Sequence, residues 1–281
     1  MATHPDLTGK VALVTGASRG IGADIARVLA REGMSVICAA RTENEGESRI
    51  PGSLTETVAS ILESGGSAVA HRADLANEDD VKALWEWCVA EFGHVDAIVN
   101  NAGVSPNGTI ESMNWRHFQL AFQINVATPA LLSRLATPHM RELGGGAIVN
   151  ISSGAGRGAG PGPYQQKIRS RSIYGTTKAA LDRLTQGMAI ELFDDNTSVN
   201  AIMPARQIWV GGTVYVNQTR DPEGFAKMDL TGKRKDGTIM GDAAAAIIRA
   251  DHQQYTGNVG TDETALTKLT GVPEFSKYAT Y

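Results

Sequence analysis

Tyr174 and Lys178 stand four residues apart in the run Ser172-Ile173-Tyr174-Gly175-Thr176-Thr177-Lys178. On a helix that spacing projects both side chains from one face, within reach of each other. A lysine cation beside a phenol favours the phenolate and pulls the tyrosine below its ordinary pKa of about 10. Tyrosine then becomes usable as a proton donor or acceptor near neutral pH. Of the chain's tyrosines, only Tyr174 has a lysine four positions later. A surface Tyr and Lys on one helix face is common, so the pair gains meaning only from what accompanies it.

A second candidate lies near the N-terminus, in Lys10-Val11-Ala12-Leu13-Val14-Thr15-Gly16-Ala17-Ser18-Arg19-Gly20-Ile21-Gly22. A short apolar run ends in three glycines. Ile21, Ile25, Val28 and Leu29 follow at i, i+4, i+7 and i+8, one helical stripe. This reads as a strand, a Gly-rich turn and a helix start. Such a turn lets backbone approach a pyrophosphate, and the helix N-terminus offers free N–H donors and a positive dipole end. Gly16, Ser18, Arg19, Gly20, Ile21 and Gly22 are the cofactor candidates of this element. The glycine spacing is Gly-x3-Gly-x-Gly, not G-x-G-x-x-G.

Together the two motifs resemble the short-chain dehydrogenase/reductase family, and the resemblance extends from roughly residue 7 to residue 204. Further motifs fall in family order. Asp74-Leu75 closes a strand where the family's aspartate contacts the adenine ring. Asn100-Asn101-Ala102-Gly103 follows the apolar run Val95 to Val99. Asn125 in Ile124-Asn125-Val126 matches the family's helix asparagine, and Ser153 ends the strand Ile148-Val149-Asn150-Ile151-Ser152-Ser153 that carries its catalytic serine. The resemblance implies a Rossmann fold and hydride transfer between a nicotinamide and a carbonyl or alcohol carbon. Tyr174 would be the acid in reduction and the base in oxidation. Lys178 would lower its pKa and bond the nicotinamide ribose, Ser153 would bond the substrate oxygen, and Asn125 would hold a relay water. Asn101, Ala102, Gly103 and Pro204 join the cofactor set with Asp74 and Leu75.

The elements that must position these residues alternate along the chain. Apolar runs at 10–15, 35–40, 67–71, 95–100, 146–151 and 198–203 read as strands. Helical patterns lie between them, at 78–92, 111–142 and 173–193. The alternation predicts an α/β single domain, a doubly wound parallel sheet with helices on both faces. Its dinucleotide-binding part spans about 7–150, its catalytic and substrate part about 151–281, with a lid at about 205–230. Trp85 and Phe118 are read as core residues. Composition agrees, with 281 residues, 42% of them hydrophobic and 20% charged, enough for one sizeable core. A net charge of −4 gives no electrostatic case for nucleic acid or an anionic membrane. No apolar stretch approaches bilayer length, and Met1 to Asp6 show no secretory pattern. With Cys38 and Cys88 read as packed apolar groups, the expected setting is a reducing cytosol. No metal-ligating set is assigned.

The strand at 35–40 ends Val36-Ile37-Cys38-Ala39-Ala40-Arg41, without the acidic residue that would bond a ribose 2′-hydroxyl. NAD-preferring members of the family resembled usually carry Asp at the position of Ala40. Arg41 follows directly, and Arg19 in the Gly-rich turn can reach the same point. Two guanidiniums suit a 2′-phosphate dianion by charge and by bidentate geometry, so the expected cofactor is NADP(H).

Departures from the family pattern bear on the substrate. The interval from Ser153 to Tyr174 is longer than usual, with a Gly/Pro-rich and then basic loop over 154–171 that reads as a mobile loop at the mouth of the site. Tyr164 within it has Ile168 four places on, no lysine, and is read as a substrate contact. Pro204 is followed by Ala205 rather than glycine, which threatens the local backbone path, with Gly211-Gly212 as a substitute source of flexibility. Trp209, Val214, Tyr215 and Phe225 in the lid region suit a hydrophobic carbonyl compound. The segment from Thr42 to Ser53 is an insertion, read as a solvated surface excursion. The Thr256-Gly257 turn precedes a last strand, and the helices at 111–142 and 173–193 are the expected contacts of a homo-oligomer, a tetramer or dimer. Two alternatives stand beside the NADP(H) carbonyl reductase or alcohol dehydrogenase: an NAD-linked dehydrogenase of the same fold, and a nucleotide-binding regulatory protein without turnover.

Overall fold

The computed structural model describes residues 6–106, 108–158, 160–164, 172–210, 214, 215, 223 and 234–280. Six strands and their crossovers come first: β1 (Val11–Thr15), β2 (Ser35–Ala40), β3 (Ser67–Arg72), β4 (Ala97–Asn100), β5 (Gly146–Ile151) and β6 (Thr197–Met203). A short β7 (Arg234–Lys235), a further strand β8 (Val259–Thr261) and β9 (Ala279–Thr280) follow. The sheet has seven strands in the order β3-β2-β1-β4-β5-β6-β8, every pairing parallel. β7 and β9 form a separate antiparallel ribbon. The strand order reverses direction between β1 and β4, and the crevice at the C-terminal ends of those strands is where such sheets bind dinucleotides.

Both faces are covered, because every residue of β1, β4, β5 and β6 is buried. Along β1 the side chains alternate. Ala12 and Val14 pack under α1 (Gly20–Arg31), α2 (Leu54–Glu63) and two C-terminal helices, whereas Val11 and Leu13 pack under helices of the other face. Those of the second face are α3 (Glu78–Phe92), α4 (Trp115–Phe122) running into α5 (Thr128–Glu142), and α6 (Ser172–Glu191). The C-terminal pair are α7 (Thr238–Arg249) and α8 (Asp262–Thr270), neither evident from the sequence periodicity. α7 is rich in alanine and reaches α1 so closely at Gly241 that a Cβ there would lie 2.5 Å from the Val28 side chain.

The helical region expected over 111–142 begins at Trp115, because Asn114 caps it by accepting from the Arg116 N–H at 2.9 Å. It is broken by a π-helical turn, Gln123–Ala127. Trp85 is a core residue, as expected. Phe118 is not. Only Ala121 of α4 is buried, and Phe118 lies half-buried, stacked on exposed Trp115 with ring centroids 4.8 Å apart. Cys38 and Cys88 are buried thiols, both pushed up to about 12 by burial, hence inert. No helix among the described residues is long and apolar enough to cross a membrane.

Candidate active site

The Gly-rich turn is held to the end of β4 by a hydroxyl. Thr15 Oγ1 accepts from the Asn101 and Ala102 N–H groups at 3.0 and 3.1 Å and donates to the Val99 carbonyl at 3.3 Å. Asn101 Nδ2 donates back to the Thr15 carbonyl at 2.9 Å. The approach leaves no room for side chains. A Cβ on Gly22 would sit 2.3 Å from Asn101 Nδ2, and one on Gly16 would sit 2.8 Å from the Ala102 backbone. α1 then begins at Gly20 with no side-chain cap, since Arg19 supplies none. Its first-turn N–H donors are available to an anion, as a bound pyrophosphate requires.

Across the crevice, the π turn and α6 build the opposite end. Asn125 is fully buried, with Nδ2 donating to the Val104 carbonyl and to Thr177 Oγ1, each at 2.9 Å, and Oδ1 accepting from the Val104 N–H at 2.8 Å. It ties the β4 loop to α6. Lys178, 3% exposed, donates from Nζ to the Ile151 carbonyl at 2.6 Å and lies 5.8 Å from the centre of the Tyr174 ring. Burial lowers the Lys178 pKa to about 8, with Asp182 one turn on partly restoring it. A Cβ on Gly103 would touch Asn125 Oδ1 at 3.4 Å and Lys178 Nζ at 3.7 Å, so the backbone after β4 packs close against both groups.

Ser153 lies two residues beyond the end of β5 and caps a 3-10 turn, Gly154–Arg157, by accepting from the Ala155 N–H at 3.2 Å. That leaves its O–H free to donate. The turn lies directly on α6. A Cβ on Gly175 would be 2.8 Å from the Ala155 carbonyl oxygen, and one on Gly156 would be 3.0 Å from the Ala179 nitrogen. The glycine between Tyr174 and Thr176 therefore sets how close Ser153 comes to Tyr174.

One cleft of about 850 Å³ joins the two ends. It is lined by Gly16, Ser18, Arg19, Gly20, Ile21 and Gly22 from the turn, by Arg41, Asp74 and Leu75 from the β2 and β3 ends, by Asn101, Ala102 and Gly103, and by Ser153, Tyr174 and Pro204. Asn125 and Lys178 stand behind its wall. The sequence-selected set is thus brought to one cleft. At the adenosine end Arg41 is exposed, and Asp74 accepts from the Ala76 N–H at 3.1 Å.

Other expectations change. The segment from Thr42 to Ser53 is not a free surface excursion: Arg19 Nη1 and Nη2 donate to Ser48 Oγ at 3.0 Å and to the Gly52 carbonyl at 2.7 Å, so it docks on the Gly-rich turn. Tyr164 is 67% exposed, donates to the Gly160 carbonyl of its own loop and is not among the residues that line the cleft. Ala205 needs no glycine. Its N–H donates to Asp262 Oδ1 at 2.9 Å, and Asn196 is the sole non-glycine residue with positive φ among the described residues. The Thr256-Gly257 turn docks on β6 through the Gly257 N–H and the Val199 carbonyl. Most of the basic half of the 154–171 loop and most of the lid, including Gly211, Gly212 and Phe225, lie outside the described residues. Sequence reasoning missed Thr15 and Thr177, whose hydroxyls fix Asn101 and Asn125; the threonine immediately before Gly16 and the one immediately before Lys178 were the only signals.

The sequence profile described as short chain dehydrogenase matches residues 10–207. The ketoacyl reductase HetN of Nostoc sp. is 34% identical over 74% of this chain and 67% of its own. A 3beta-hydroxysteroid dehydrogenase 1 of Eggerthella lenta is 32% identical over 90% of this chain and 91% of its own. A metagenomic short-chain oxidoreductase solved in complex with NADP superposes with a TM-score of 0.70 at 28% identity, covering 91% of this chain and 97% of that one. The chain therefore belongs to the short-chain dehydrogenase family.

Proposed function

We propose that this oxidoreductase transfers hydride between NADP(H) and a carbonyl or secondary alcohol carbon of a hydrophobic small molecule. The observation that carries the reading is Lys178, a buried lysine one helical turn from Tyr174 at the wall of the nucleotide cleft. A buried ammonium has lost its water, and its field on a neighbouring phenol is correspondingly strong. When bound, the nicotinamide supplies or receives the hydride.

The chain's own residues manage the oxygen and its proton. Tyr174 gives its phenolic proton to the carbonyl oxygen in reduction and takes the alcohol proton in oxidation. Ser153, with its acceptor side occupied by Ala155, donates to the same oxygen and stabilises charge developing there. Lys178 holds positive charge next to the phenol and keeps N–H donors beyond its bond to Ile151 for the ribose hydroxyls. Asn125 spends both amide hydrogens on Val104 and Thr177. A relay water would therefore have to donate to Asn125 rather than accept from its amide. Val104, Ile208 and Val210 among the cleft residues favour an apolar substrate.

Arg19 and Arg41 at the adenosine end, with no carboxylate at Ala40, favour NADP(H) over NAD(H). Exposed Ile110, Trp115, Ile190 and Phe193 on and beside α4 and α6 favour a homo-oligomer built through those helices. The two buried, unpaired thiols fit a cytosolic enzyme. The test is isotopic: NADPH deuterated at the nicotinamide C4 is incubated with a ketone the enzyme turns over. Deuterium on the carbinol carbon of the product supports direct transfer. Deuterium lost to water refutes it.

A further inference from the structure

Arg19 does not extend freely from the Gly-rich turn. Its guanidinium is gripped at both ends, by Ser48 Oγ and by the Gly52 carbonyl. The gripping segment is itself folded. The Gly52 N–H donates to Glu45 Oε2 at 3.1 Å, the Ile50 N–H to Ser48 Oγ at 3.2 Å, and the Leu54 N–H to the Thr42 carbonyl at 3.1 Å. Gly52 has φ +106°, and a Cβ there would lie 2.8 Å from the Ser18 carbonyl oxygen and 2.9 Å from Arg19 Cβ. The segment therefore meets the nucleotide turn backbone to backbone, and only glycine allows it. Thr42 and Ile50 line the same cleft as Arg19 and Arg41.

An arginine in water samples many rotamers. Ser48 and Gly52 remove that freedom before any ligand arrives, which is preorganisation. Ser48 Oγ accepts from both Arg19 and Ile50, so one hydroxyl couples the guanidinium to the cleft wall. The neighbouring charges are Glu45, which opposes an incoming anion, and Arg41, which favours one. Arg19 Nε is enclosed with no acceptor among the described residues, so its charge is incompletely neutralised by the protein.

We infer that the 42–53 segment is a working part of the nucleotide site, in which Ser48 is a positioning residue that aims Arg19 at the 2′-phosphate and Glu45 weakens that grip. The inference rests on the NADP(H) reading and deepens it. It separates two roles within one loop, with opposite signs.

The experiment is a binding titration of NADPH and of NADH on the full chain, by nucleotide fluorescence, in wild type, Ser48→Ala, Ser48→Thr and Glu45→Gln. Wild type comes first, and a preference for NADH there overturns the NADP(H) reading and the inference together. With NADPH preferred, Ser48→Ala is expected to raise the NADPH Kd about tenfold and leave the NADH Kd within about twofold. Ser48→Thr retains the hydroxyl and stays near wild type. Glu45→Gln keeps an acceptor for Gly52 but removes a charge, so NADPH tightens about threefold at low salt and NADH does not. An unchanged NADPH-to-NADH ratio in Ser48→Ala, or equal shifts for both nucleotides, overturns the role of the loop while the NADP(H) reading stands. NADH binding in each variant reports that the fold is intact.

Discussion

The two ends of the cleft are built by different means. At the end proposed to be catalytic, Asn125 and Lys178 are sealed behind the wall, each bonded to backbone or to a buried hydroxyl, and the Ser153 turn lies on α6 with glycines at the contact. At the adenosine end Arg41 is exposed and Arg19 is oriented by a surface segment between β2 and α2. The first is fixed by the core and admits little variation. The second is fixed by a loop, where insertions are tolerated and specificity can be retuned without disturbing the sheet. On the proposed function, chemistry and cofactor choice are then separable, and substitutions at one end should leave the other unmoved.

The sharpest separation is expected from Tyr174→Phe. It removes the proton donor and keeps the ring, so kcat should fall about 10³-fold while the NADPH Kd stays within about twofold. Steady-state rates and a fluorescence titration on the same preparation check it. Gly175→Ala tests whether the Ser153 turn is placed by its contact with α6. The new methyl would meet the Ala155 carbonyl at 2.8 Å, and displacing Ser153 by part of an ångström should lower kcat about 10²-fold with nucleotide affinity retained. An active Gly175→Ala variant would show that the turn is not what positions Ser153.

Lys178 offers a test by pH. Burial lowers its pKa in the folded chain to about 8, against an ordinary value of 10.5. Between those values the unfolded chain binds more protons, so this group's contribution to stability rises with pH from about 8 and is flat below it. Relative to Lys178→Met, which lacks the titration, wild type should gain roughly 2 kcal/mol between pH 7 and pH 9.5, read from urea midpoints. Equal pH slopes would mean that Lys178 is not desolvated. Smallest is the effect of Arg41→Ala: about a tenfold rise in NADPH Kd with NADH unmoved and kcat unchanged at saturation. A parallel loss for both nucleotides would assign Arg41 to general binding rather than to the phosphate.

Much of the fold and of the site was legible because it is local. The Gly16-Gly20-Gly22 turn, the ends of β3, β4 and β5, and the Tyr174–Lys178 interval are each written in a few consecutive residues, and the parallel strands announce themselves as unbroken apolar runs. What was not legible depends on contacts across the chain. Asn125 meets Thr177, and Gly175 meets Ala155, through packing that leaves no period in the sequence. α7 was hidden because the residues between Ile239-Met240 and Ile247-Ile248 are mostly alanine, small side chains that leave only a faint apolar stripe to read although they are buried. The Thr42–Ser53 segment is polar enough to look like a solvated loop, yet its polar groups are spent on Arg19 and on one another. Phe118 went wrong for the opposite reason: its spacing matched a core face, but α4 leaves its aromatic side outward, stacked on Trp115.

The central claim is that Tyr174 and Lys178 serve a hydride transfer fed by NADP(H). The most direct measurement is nucleotide oxidation by the purified protein against a panel of ketones, quinones and aldehydes, with NADPH and NADH in parallel. The account predicts turnover on at least one apolar carbonyl, faster with NADPH than with NADH at equal subsaturating concentration. Binding of both nucleotides with no oxidation across the panel, or turnover that favours NADH, would contradict it.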